Sequence, residues 1–323
     1  MKPTVNTTSV NCTDISEFIL LGFGRLHDLQ FLLFLVFLVI YIMTISGNLT
    51  IIFIVTTSPH LHTPMYFFLG NLSCMETFYS STILPRMLAS LLTGDRTVSV
   101  KCCVIQLYFF GFLVSTECYL LAVMSYDRYL AICQPLHYGT LMNDKLCLKL
   151  AAGSWLCALL PISIIIILMS FLHFCGPIAI DHFFCDFPAF IKLASEDTQL
   201  VQLLAFILSA IDTLPPFVLT LTSYFHIIDT ILRIPSTTGR KKAFSTCSSH
   251  LTVVTIFYGT LMVVYILPKS ETWGDLHKIF SLFYTVLTPM VNPLIYSLRN
   301  EEVKKTLRRV INKWLGFQKL DRS

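Results

Sequence analysis

Seven separate apolar stretches run along this chain, each about 20 residues long, which is enough to cross a bilayer as a helix. Phe31–Val55 is the cleanest; the others are Pro64–Leu84, Val104–Ile132, Leu148–Phe171, Leu200–Ile231, Thr246–Leu267 and Ile279–Leu298. Lipid offers the backbone no hydrogen-bond partner, so only helices and closed barrels can span it. A barrel would read as short segments of alternating polarity, and these runs are continuous. The expected fold is therefore an all-α membrane protein, a bundle of seven transmembrane helices. Composition excludes the soluble alternative: 54% of the 323 residues are hydrophobic, 13% are charged, and the mean hydropathy is +0.70. A net charge of +4 is too small to point to nucleic acid, so membrane lipid is the partner that composition names.

Basic residues orient the bundle. One set of loops carries Lys145 and Lys149, then Arg233, Arg240, Lys241 and Lys242, then Lys304, Lys305, Arg308, Arg309 and Lys313. The opposite set carries fewer, offset by Asp181, Asp186, Glu196, Asp197, Glu271 and Asp275. Arg25, outside the first span, runs against this bias, but the whole-chain count puts the N-terminus outside and the C-terminus in the cytoplasm of a plasma-membrane protein. The start lacks the apolar core of a cleavable signal peptide, so the first span reads as an uncleaved anchor. The chain divides into an outer tail (1–28), a seven-helix domain (29–298) and a cytoplasmic segment (299–323). Asn6 and Asn11 begin N-x-[ST] sequons on the outer tail, where glycosylation is physically possible.

Eleven cysteines divide by compartment. Cys12, Cys102, Cys103, Cys175 and Cys185 face the oxidising side, an odd number that leaves at least one unpaired within the chain. A bridge from Cys103, above span three, to Cys185 would tether the second outer loop over the bundle mouth.

Ionisable groups inside a membrane are costly and mark function by default. Stepping back from Arg128 by helical turns, Met124, Leu121, Glu117, Val114, Phe110 and Leu107 share one broad face. Glu76 lies mid-span in helix two, with Asn48 and Asn292 in helices one and seven. Two desolvated carboxylates cannot both stay ionised without a partner. Either this is a structural network of amides and protonated carboxyls, or Glu76 and Glu117 hold a proton or a sodium ion. Asp212, one turn before Pro215-Pro216, has two readings as well: a ligand contact or a hydrogen-bonded packing group. Asp127-Arg128-Tyr129 ends span three at the cytoplasmic boundary, where the guanidinium can be held by Asp127 or released to a partner, as in a two-state element.

The stretches "GN" at Gly47, "LHTPMYFFLGNLS" from Leu61, "MSYDRYLAICQPLHY" from Met124, "SY" at Ser223, "KAFSTCSSHL" from Lys242, "FYGT" from Phe257 and "PMVNPLIYSLRN" from Pro289 occur in one characteristic order. In this the chain resembles the tetrapod-type olfactory (odorant) receptors of the rhodopsin-like (class A) G-protein-coupled family, and the resemblance covers almost its whole length. It implies a small volatile odorant as ligand, a heterotrimeric stimulatory G protein as partner and a rise in cyclic AMP as output. Arg128 would be held by Asp127 in the resting state and would contact the G protein when helix six swings outward. Tyr224 and Tyr296 would move in to support it, Asn292-Pro293 would permit a bend in helix seven, and 302–313 would form an amphipathic helix on the inner leaflet.

By the same resemblance the odorant pocket would lie in the outer half, among helices three, five, six and seven. Spacing from the motifs nominates Phe110, Gly111, Val114, Ser115, Leu208, Ser209, Asp212, Tyr258, Leu261, Met262, Tyr265, Leu282 and Thr285. The lining is apolar and aromatic with a few hydroxyls, as a small volatile ligand requires. The resemblance also implies the Cys103–Cys185 bridge. Two departures stand out. The family carries a third loop cysteine where this chain has Ser195, so the usual bridge within the loop cannot form and the partner of Cys175 stays open between Cys102, Cys12 and none. Glu76 stands where many relatives have Asp.

Rival classes fit less well. A transporter would show repeats and broken helices; an amine receptor would place an acid where Phe110, Val114 and Ser115 lie; a retinal pigment would need a lysine between Ile279 and Leu298. No nucleophile–base pair, metal cluster or phosphate loop suggests an enzyme, and no cofactor is implied. The nearest alternative is a rhodopsin-like receptor for another small molecule outside the nose.

Overall fold

The computed structural model describes residues 15–23, 29–174, 178–195, 197–266, 274–299, 302–309 and 312; the side chains at 242, 246, 263–266, 274–277 and 297–299 fall outside that description. Asn6, Asn11, Cys12 and Cys175 lie outside the described residues, as does the side chain of Tyr265.

The long helices are α1 (Gln30–Thr57), α2 (Pro64–Thr93), α3 (Val100–Cys133), α5 (Asp144–Met169), α7 (Gln199–Arg233) and α8 (Thr237–Ile266). A last helical column is built from α9 (Gly274–Leu282), a π-helical turn (Phe283–Leu287) and α10 (Thr288–Arg299). Two short helices, α4 (Pro135–Leu141) and α6 (Phe187–Ile191), lie in the loops after α3 and before α7. Among the described residues five stretches are long and apolar enough to cross a membrane: α1, α3, α5, α7 and Lys278–Tyr296. The helices α2 and α8 are 30 residues each but more polar.

Local chemistry explains several boundaries. Ser99 caps α3 by accepting from the Cys102 N–H at 3.2 Å, and Asn143 caps α5 by accepting from Leu146 N–H at 3.0 Å. Pro64 starts α2 at a position where no N–H is needed. That helix does not stop near Leu84. It runs through Pro85 and ends at Gly94, whose φ of 74° is the left-handed C-cap that glycine adopts without strain.

The packing is inverted relative to a soluble protein. Phe31, Leu32, Val36, Val39 and Ile42 point outward from α1, while Thr44, Asn48, Glu76, Glu117, Asp127, Arg128 and Asn292 are buried. Lipid is as apolar as a leucine side chain, so close packing and interhelical hydrogen bonds hold such helices together. Gly47 shows the first: a Cβ there would sit 3.2 Å from the Pro293 ring, so α1 and α10 approach closely. Helix α3 is central, packing on α2, α5, α7 and α8.

Part of the stretch before α1 is structured. Glu17–Leu20 forms β1, which pairs antiparallel with β2 (Thr97–Ser99) and parallel with β3 (Ala179–Ile180). Phe18 and Leu20 are buried while Glu17 is exposed, the period-two pattern of a half-buried strand. Phe18 packs edge-on against Phe174 and Phe190. The Cys103–Cys185 disulfide is formed, with 5.5 Å between Cα atoms, and both sulfurs join this outer core. Ser195, where the resemblance looks for a third cysteine, hydrogen-bonds to the His173 carbonyl from its hydroxyl (2.9 Å) and its N–H (3.0 Å). The loop is thus closed near its expected place by hydrogen bonds.

Candidate functional site

The inner half holds a closed charge network. Both Arg128 and Asp127 are buried; Arg128 Nε donates to Asp127 Oδ2 at 3.0 Å and a second guanidinium nitrogen donates to the same oxygen. The other carboxylate oxygen, Oδ1, accepts from the Tyr138 hydroxyl at 2.7 Å. Tyr138 comes from α4, outside the span. Burial and the Asp127 charge push its phenol above the ordinary range, so it remains a donor. Beside this network the Tyr224 hydroxyl and His250 Nδ1 are 2.6 Å apart, with their rings stacked. Tyr224, His250 and Tyr296 all lie within electrostatic reach of Arg128, and the Tyr296 hydroxyl is buried without a partner among the described residues. Tyr129 instead stacks on Tyr126 and meets His226. Tyr138 and His250 sit inside the motifs quoted above, but their roles depend on which helix faces them.

Loss of the Tyr138 hydroxyl should therefore loosen the lock without opening it. Tyr138→Phe removes one hydrogen bond to a charged group, worth about 1.5–3 kcal/mol, while the Asp127–Arg128 pair remains. A several-fold rise in basal signalling per surface receptor is expected in a cyclic AMP reporter assay, on the order of what part of that energy allows. Unchanged basal signal would show that Tyr138 does not restrain Asp127.

In mid-bundle, Asn292 Nδ2 donates to Glu76 Oε1, and Asn48 lies beside the same carboxyl. Asn48 Nδ2 also reaches the carbonyls of Thr44 (3.1 Å) and Pro289 (3.2 Å), tying α1 to the last helix. Glu76 and Glu117 are both 1% exposed and feel each other's charge. Three buried acceptor oxygens here, Asn48 Oδ1, Asn292 Oδ1 and Glu117 Oε1, have no donor among the described residues. Acceptors without donors invite a proton, a water or a cation.

The outer candidates separate into two groups. Phe110 faces inward, its ring 5.7 Å from Tyr79, 5.0 Å from Phe184 and 6.1 Å from Tyr284. Ser115 is buried with an unpartnered hydroxyl; Leu261 and Thr285 are buried too, and Val114 packs on the same core. Tyr258 leans on Phe217 at 4.9 Å and donates to the Cys118 carbonyl at 3.4 Å. Asp212 is buried beside Tyr119, and its Oδ1 has no hydrogen-bond partner among the described residues.

Others point elsewhere. Gly111 faces α5, where an added Cβ would meet Ile162 Cδ1 at 2.5 Å; it serves helix contact. Ser209 is exposed and Met262 is 43% exposed, both turned off the interior. Leu208 packs into the outer core around the disulfide, and Leu282 packs with Val286 and Phe37. Counting helical steps from a distant motif accumulates rotation error, and α7 carries Pro215 and Pro216 between the motif and these positions.

A family model described as "Olfactory receptor" matches residues 37–314. The chain belongs to the olfactory receptor family. It is 50% identical to human "Olfactory receptor 6F1" over 306 residues, covering 95% of this chain and 98% of that one. It is 48% identical to human "Olfactory receptor 6N1" over 303 residues, with 94% and 97% covered. Among solved structures, squid rhodopsin superposes with a TM-score of 0.68 at 17% identity, over 90% of this chain and 87% of that one, which shows the rhodopsin-like fold. This olfactory receptor is thus a multi-pass plasma-membrane odorant receptor.

Proposed function

We propose that this olfactory receptor binds a small volatile odorant in the outer half of the bundle, among Phe110, Ser115, Tyr258, Leu261 and Thr285. It then activates a stimulatory G protein at the inner face to raise cyclic AMP. The observation that carries the reading is the Asp127–Arg128–Tyr138 network beside Tyr224, His250 and Tyr296. A buried guanidinium held by one carboxylate, with two tyrosine hydroxyls nearby, is built to exchange partners. The reading includes seven crossings, α2 and α8 completing the set, with the N-terminus outside and the C-terminus inside. The described part of the final helix, 302–309, buries Val303 and joins Thr306 Oγ1 to His60 Nε2 at 2.8 Å, which suits a helix lying along the inner leaflet. An odorant panel applied to cells expressing the chain, read by cyclic AMP, tests it. If no volatile in a broad panel raises cyclic AMP in cells with confirmed surface receptor, the output assignment falls.

The donor-poor oxygens around Glu76 and Glu117 fit a sodium ion, which would be held by these carboxylates with Asn48 and Asn292. The ion would supply the charge balance that two buried carboxylates otherwise lack. Glu117→Gln keeps the shape and removes one charge, so basal and evoked cyclic AMP should lose their dependence on external sodium while surface expression persists. The same sodium response in wild type and variant, both normalised to surface receptor, would remove the cation from the account.

A further inference from the structure

The outer ends of α1 and α2, together with Leu20, Gly22 and Phe23, border a small open cleft of about 40 Å³ that the odorant reading does not use. Its walls are apolar, with Leu33 from α1, Met87 and Leu91 from α2, and Phe183 from the second outer loop. Phe23 closes one side, stacked between Phe37 at 5.8 Å and Phe183 at 5.4 Å. Two guanidinium groups, Arg86 and Arg96, line this same apolar space.

Neither arginine is used up by the protein. Arg86 donates to the Thr97 carbonyl, and Arg96 reaches the Leu21 carbonyl at 3.4 Å. A guanidinium has five N–H donors, so most are uncommitted among the described residues. Asp95 is the carboxylate paired with Arg86, but it stands 3.9 Å away, with its side chain 56% exposed. Its Oδ1 is already occupied by the N–H and hydroxyl of Thr97. Among the described residues two cations and one distant acid leave the cleft positive, although its walls would repel a hydrated ion. A ligand satisfies both conditions if it has one anionic head and an apolar tail. Arginine forks recognise carboxylate and phosphate oxygens alike.

We propose that this cleft binds an anionic amphiphile, an acyl chain bearing a carboxylate or phosphate head. The head sits between Arg86 and Arg96, the first methylenes lie against Leu33, Met87 and Leu91, and the rest of the chain runs out of the small cleft along the surface. Because Leu20 and Phe23 also border the cleft, an occupant braces the segment that continues from β1, outside the odorant core.

The test uses the full-length receptor in phosphatidylcholine nanodiscs and a photoactivatable diazirine analogue of decanoic acid. Cross-links are expected within residues 20–23, 30–33 and 86–96, and the matching decanol analogue should label about tenfold less, because it lacks the charge that arginine recognises. A double variant, Arg86→Gln with Arg96→Gln, should lose labelling by about the same factor. Its fold is checked by the intact Cys103–Cys185 bridge and by thermal unfolding. Nanodiscs containing phosphatidylglycerol separate the two sources. Competition identifies a membrane headgroup, and undiminished labelling identifies a free acid; each supports the shared chemistry. Equal labelling by acid and alcohol, or cross-links that map only elsewhere, overturns the proposal. So does full labelling of a folded double variant. If that variant fails to fold, the wild-type comparison and map decide alone.

Discussion

Cys103→Ser and Cys185→Ser should each nearly abolish surface delivery, and the double substitution should be no worse than either alone. The bridge ties the first turn of α3 to the longest loop, and both sulfurs are fully buried against Phe18, Leu107 and Phe190. Gln106 fixes the same point by accepting from the Cys185 N–H at 2.9 Å. Losing a native disulfide costs typically ~2–4 kcal/mol, against a whole-domain stability of about 5–15 kcal/mol. Cys175→Ser should be far milder, since Ser195 already closes the loop onto His173 without a sulfur. The measurement is antibody labelling of an outer epitope tag on intact cells, divided by total receptor. Equal damage from Cys175→Ser and Cys185→Ser would overturn this ranking.

Arg128→Ala should eliminate the odorant-evoked cyclic AMP response while leaving receptor at the surface. The guanidinium makes two hydrogen bonds to Asp127 in the structure described above, and our proposal gives it the G protein as its alternative partner. Hydrogen bonds to a charged group are worth about 1.5–3 kcal/mol each, so removing the coupling contact should weaken G-protein activation by about ten- to a hundredfold or more. Truncation also leaves Asp127 with Tyr138 alone. The comparison is the cyclic AMP dose–response of wild type and variant, normalised to surface label. A full response from the variant would move the coupling contact to other residues.

The parts of the fold that bilayer physics dictates were legible in the sequence. Span centres follow from the thickness of hydrocarbon that a helix must cross, and Phe31–Val55 falls within α1 with two or fewer residues to spare at each end. Ends governed by one residue's backbone were harder. The apolar run ends at Leu84, yet α2 continues through Pro85 to Thr93 because a helix supported by neighbours tolerates an interior proline. The π turn at Phe283–Leu287 has no compositional mark. β1 is four residues, too short for periodicity to reveal, and its partners lie far along the chain. At the inner site, Asp127 and Arg128 are adjacent in sequence, so their pairing was readable. Tyr138 and His250 enter through tertiary placement. At the outer site, Phe110 and Val114 lie on the face counted from Arg128, whereas Gly111, Ser209 and Met262 show how a small error in rotation turns a position from cavity to helix contact or lipid.

The outer sheet also sets an order of events during synthesis. Ile19 pairs with both Thr97 and Ala179, so the earliest of these strands waits for two segments made much later. Its central position in the sheet cannot be filled until the chain has been inserted past Ile180. Closure of such distant pairs is entropically late. Until then the face carrying Phe18 and Leu20 is uncovered, a hydrophobic handle for the chaperones that hold unfinished chains. A receptor of this design is therefore most vulnerable to retention in the interval between insertion of its fourth helix and docking of its own beginning.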